Sequence, residues 1–159
     1  MTFIFRWLTI LVLLILVAAS LAPAAAVTVA QLGLGYDLSQ ISEALQQGAR
    51  NSSWTEAALW YGAAIFFLIA AIRLVRKTQA FWMWLLGFAC YGARWAITQQ
   101  AQEGGVLGVL QGFSLSNLSD VSAEAPTLQL GLLAFHLLIG VVILFIDQAD
   151  HEYWDRHGA

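Results

Sequence analysis

The sequence predicts an all-α integral membrane protein: a small bundle of four transmembrane helices, N and C termini cytoplasmic, with one short amphipathic interfacial helix in the first outer loop. Three observations predict it. Of 159 residues, 60% are apolar and only 11% charged, with a mean hydropathy of +0.72, a balance too apolar for a soluble domain of this size. The apolar residues gather in four runs, at 7–22, 57–75, 80–98 and 128–146. The basic residues are placed unevenly around those runs, as positions on two sides of a membrane would be.

The two central runs, Ala57 to Val75 and Ala80 to Thr98, read as a helical hairpin. Each is long enough to cross about 30 Å of hydrocarbon at about 1.5 Å per residue. The link between them, Arg76-Lys77-Thr78-Gln79, belongs to the most basic stretch of the chain and so faces the cytoplasm. The first thirty residues have two readings. Arg6, the apolar run Trp7 to Ala19 and Ala24-Ala25-Ala26 resemble a secretory signal peptide, whereas Trp7 to Ala22 ended by Pro23 reads as an uncleaved first span, which is the expectation taken here. Both place Val27 on the outer face. In the outer loop at 27–56, Asp37 and Gln40 have the form of a capping box, and Leu38, Ile41 and Leu45 recur on one helical face before Gly48. The second outer loop, 99–127, carries Gly104-Gly105 and the apolar stretch Val106 to Phe113, more than a plain linker needs. Pro126 precedes the last span, and 147–159 forms a polar cytoplasmic tail.

Side assignments agree between two independent counts. Of the seven Lys and Arg residues, Arg6, Arg73, Arg76, Lys77 and Arg156 fall on the cytoplasmic side, Arg50 in an outer loop, and Arg94 within a span. Among the seven tryptophans, Trp7, Trp82, Trp84 and Trp154 fall near inner ends, and Trp54, Trp60 and Trp95 near outer ends, as interfacial anchors would. The whole chain, 1–159, is one membrane domain, since no segment outside the spans could bury an independent core. Nucleic acid is not an expected partner, because the basic residues form no patch beyond the hairpin turn. The single cysteine, Cys90, excludes an intrachain disulfide.

His136 is the sharpest chemical candidate, because it lies near the middle of its span, where an ionisable side chain is costly. Two readings stand: a neutral imidazole hydrogen-bonded to a neighbouring helix, or a ligand to the metal of a haem or a bacteriochlorophyll. Counting inward from the outer ends puts Cys90 and Tyr91 near the depth of His136, and Tyr61 level with Arg94. Arg94 either reaches the outer interface with its head group or contacts an anionic group, with Glu56 and Glu103 as charged partners within reach. Small residues on the hairpin, among them Gly62, Ala63, Gly87 and Gly92, permit close helix approach. In the tail, Asp147, His151 and Asp155 share a face of any continuing helix, and with Tyr153 and Trp154 they form a candidate docking surface for a partner.

No phosphate loop, H-E-x-x-H, C-x-x-C or nucleophile motif is present in the sequence, and no metal site or catalytic residue is expected. The function expected on these grounds is a non-catalytic accessory subunit of a larger membrane protein complex. Its setting would be energy transduction, respiratory or photosynthetic, in the bacterial inner membrane, with membrane lipid as the other contact. The alternative is a cofactor-binding electron-transport or light-harvesting subunit with His136 as haem or bacteriochlorophyll ligand. A second alternative is the small subunit of a transporter.

Overall fold

A computed structural model describes residues 2–32, 53–100 and 126–157, with side chains placed at 3–32, 53–98 and 130–153. The amphipathic helix expected after Asp37 and the apolar stretch at 106–113 lie outside the described residues. Those described form four helices and no strand: α1 (Thr2–Leu32), α2 (Trp54–Val75), α3 (Phe81–Gln100) and α4 (Pro126–His157). The stretches Phe3–Leu32, Trp54–Val75 and Leu130–Tyr153 are long and apolar enough to cross a membrane. The chain therefore has the character of a membrane protein. Helix α3 is less apolar, because its bulk comes from tryptophan, tyrosine and methionine, and it carries Arg94.

The ends of the hairpin are built from local chemistry. Ser53 has extended backbone, and its hydroxyl accepts from the Glu56 amide at 3.4 Å, so Ser53-Trp54-Thr55-Glu56 starts α2 with a side-chain cap. Helix α2 stops in a Schellman turn: Thr78 N–H donates to the Arg73 carbonyl at 2.9 Å and Lys77 N–H to that of Leu74 at 3.3 Å. Lys77 occupies the left-handed position of that turn, with φ of 54°, where glycine is usual. The Arg73 guanidinium then donates to the Gln79 carbonyl at 3.0 Å and closes the turn.

Helix α1 departs from expectation. It was to end at Pro23, with an outer loop from 27, but it continues through the proline to Leu32. Proline removes one backbone bond from the ladder, a loss that packing against a neighbouring helix can offset in a membrane helix. Here Ala24, Ala26 and Val27 are buried, and Ala26 and Val27 pack with Ala57 of α2. Helix α4 likewise runs past 146, so the expected polar tail begins as a helix reaching His157.

Each helix packs on its neighbours in sequence, and α4 closes the ring against α1 and α3. The core holds Leu13 of α1, Phe67 and Leu74 of α2, Trp84 of α3, and Ile139 and Ile143 of α4. The outer surface is as apolar as the inside: Leu11, Ile15, Ile65, Leu138 and Phe145 are all exposed, the pattern of a bundle solvated by lipid tails. Three hydroxyls in the helices are satisfied locally. Thr9, Ser20 and Thr98 each donate to the carbonyl four residues back, at 2.7, 2.8 and 3.0 Å.

Candidate functional site: an aromatic column around His136

Phe81, Trp84, Phe88 and Tyr91 recur at three- and four-residue spacing, so α3 presents them as one stripe. The stripe is turned inward and continued by rings from other helices. Phe81 lies 5.5 Å from Trp84, and Trp84 stacks on Phe88 at 5.4 Å with planes 6° apart. Phe88 then approaches His136 of α4 at 6.0 Å, and His136 stacks on Tyr91 at 4.4 Å and 18°. Tyr91 meets Trp60 of α2 edge-on at 5.9 Å, and the Arg94 guanidinium sits 4.8 Å above the Trp60 ring. The column runs from the hairpin turn to the opposite end of the bundle. Glycines make room for it. A Cβ at Gly87 would fall 2.7 Å from the Phe67 ring, and one at Gly140 would run into Trp84.

His136 is buried, only 3% exposed, with Tyr91 across one ring face and Phe67 and Phe88 close by. Its Nδ1 lies 2.7 Å from the Leu132 carbonyl oxygen. A carbonyl only accepts, so Nδ1 carries a proton, and in the neutral ring Nε2 keeps its lone pair. The site thus offers a neutral imidazole acceptor in aromatic, water-poor surroundings.

Arg94 and Tyr61, expected at one level, are taken up by different partners. Thr28 of α1 donates to the Ala24 carbonyl at 2.8 Å, so at 3.1 Å its oxygen accepts from the Tyr61 hydroxyl, joining α1 to α2. Arg94 lies on Trp60 instead, and its buried Nε has no hydrogen-bond partner among the described residues. Glu56 forms no ion pair with it among those residues, and Glu103 lies outside them. Trp84 also departs from expectation. Read as an interfacial anchor, it is buried in the core with its indole N–H unpaired among the described residues, because Gly140 opens a slot for its ring. Trp7, Trp82 and Trp54 are exposed.

At the hairpin end, two tail residues have internal roles that sequence reasoning missed. One carboxylate oxygen of Asp147 accepts from the amides of Ala80 and Phe81, each at 2.9 Å, and so caps α3 from another helix. Asp150 pairs with the Arg6 guanidinium and ties α4 to α1. The sequence carried one signal for the first of these: α3 starts at Gln79-Ala80 with no capping side chain of its own. His151 and Tyr153 are exposed on α4, while the side chains of Trp154 and Asp155 lie outside the described set. Among the described residues no cluster of three His, Cys, Asp or Glu side chains could hold a metal ion.

Compared with known proteins, the chain matches no protein-family model, no curated sequence and no solved structure.

Proposed function

We propose that the chain is a non-catalytic accessory subunit that packs within a larger membrane protein complex of energy transduction in the bacterial inner membrane. It would cross four times, with both termini cytoplasmic. One observation carries the reading: several side chains of the bundle, polar ones among them, join one helix to another. Asp147 caps α3, Arg6 pairs with Asp150, Thr28 holds Tyr61, and the ring of His136 fills a slot among Tyr91, Phe67 and Phe88. A bundle cross-linked in this way is a stiff spacer with an apolar exterior, suited to contact with other membrane helices. Purifying the complex from native membranes in mild detergent tests this: larger membrane subunits should accompany the chain in fixed ratio. Recovery of the chain alone and colourless would overturn it.

The second reading, a cofactor ligand at His136, has an observation of its own. The Nδ1–H bond to Leu132 fixes the tautomer that a metal-ligating histidine needs. A haem or bacteriochlorophyll at Nε2 would have to displace aromatic neighbours, so the packed ring favours the first reading. Substitution His136→Leu should therefore leave the absorption spectrum of the complex unchanged. Loss of a pigment band with the subunits still assembled would decide for the ligand.

A further inference from the structure

Two grooves open at the hairpin end of the bundle, and they differ in charge. The larger, about 460 Å³, is lined by Lys77 together with Asp147 and Asp150, two carboxylates to one ammonium. The smaller, about 350 Å³, is lined by Arg6, Lys77 and Asp150, which leaves it net cationic, and its walls are Trp7, Ile10 and Val75. We propose that this second groove binds the phosphate of an anionic glycerophospholipid, with an acyl chain lying along Trp7, Ile10 and Val75.

Three features support that occupant. Arg6 lines the groove though only 8% exposed, and its Nε–H is buried with no hydrogen-bond partner among the described residues; a desolvated guanidinium of this kind favours an anion beside it. Lys77 is held at the tip of the turn in a left-handed conformation unfavourable for a lysine, and its side chain makes no ion pair among the described residues. The carboxylate that would repel a phosphate, Asp150, is already neutralised by Arg6. The depth is also right, since exposed Trp7 and Tyr153 flank the groove as rings at a headgroup layer do. A cation above an apolar slot at that depth matches a phospholipid better than a soluble anion, which would have no use for the slot.

The full chain, purified in detergent and stripped of lipid, can be titrated with phosphatidylglycerol carrying brominated acyl chains. Quenching of Trp7 is read as the difference between the parent protein and Trp7→Phe. Saturable quenching is expected, with phosphatidylcholine about fivefold weaker. Lys77→Gln should weaken the phosphatidylglycerol titration about fivefold, and Lys77→Arg should restore it. Arg76→Gln, on the same turn but outside the groove, should change it less than about twofold. Equal binding of the two lipids, equal loss in Lys77→Gln and Arg76→Gln, or displacement of the lipid by inorganic phosphate would each overturn the proposal.

Discussion

Asp147 shows how one residue can belong to two descriptions. In the sequence it is the first acid of a polar tail, an ordinary member of a docking face. In the fold its carboxylate receives two amides at the start of a helix 66 and 67 residues earlier. Those amides are among the four that a helix leaves unpaired, and a negative charge there also complements the helix dipole. Replacing Asp147 by Ala should destabilise the bundle by about 2 kcal/mol, the cap together with the desolvated amides it leaves. Asp147→Asn keeps a carbonyl oxygen in place and should cost about half as much. Unfolding in a titration of denaturing detergent measures both. Equal loss in the two variants would mean that the charge, and not the acceptor geometry, holds α3. The missing cap at Ala80 was legible; its supplier was not, because a partner that distant in sequence is chosen by tertiary packing alone.

Among the helices, the α3–α4 contact depends on one ring in one slot. Trp84 is 3% exposed and lies flat on Phe88, so it cannot move aside without breaking that stack. A methyl group at Gly140 collides with the ring. Gly140→Ala should therefore cost about 1–3 kcal/mol through overpacking, although alanine is the better helix former. Gly131 lies on the same helix with nothing within 4 Å of a Cβ. There the same change should be neutral or stabilising by up to about 1 kcal/mol. Denaturing-detergent titrations of the pair separate the steric effect from helix propensity, and loss in both or in neither would remove the slot as the cause. At this scale the sequence was informative wherever chemistry is local. The basic turn marks the hairpin tip as expected, while the Ser53 cap of α2 was not anticipated, although Ser53 and Glu56 have capping-box spacing. The extension of α1 through Pro23 was less legible, because what holds it is burial of Ala26 and Val27 against Ala57, a contact with no local signature. The column around His136 was half visible: its depth followed from counting residues, but the phase that brings Tyr91 over its ring depends on how α3 and α4 rotate against each other.

For the molecule as a whole, the arrangement in the membrane follows from which end carries the cations. Arg6, Arg73, Arg76 and Lys77 lie at the hairpin end, while Arg94 is the basic residue described toward the other end. Asp147, Asp150 and Glu152 share the cationic end, and a net-charge count there comes near balance. Orientation follows Lys and Arg, though, with acids contributing little, because side is chosen at insertion, before Arg6 can pair with Asp150. The hairpin end should therefore be cytoplasmic. Helix α3 is the element whose crossing composition leaves open, yet its rings run antiparallel to α2, from Phe81 beside the turn to Arg94 on Trp60 near the start of α2. If α2 crosses, α3 must return beside it. In a Cys90→Ser background, Lys77→Cys should react with a membrane-impermeant maleimide only in inverted vesicles. Thr55→Cys, in the first turn of α2, and Thr98→Cys, near the end of α3, should react only in right-side-out vesicles. Labelling of Lys77→Cys from the outside would invert the whole arrangement. Labelling of Thr98→Cys from the same side as Lys77→Cys would leave α3 on the surface and reduce the crossings to those of the three more apolar helices.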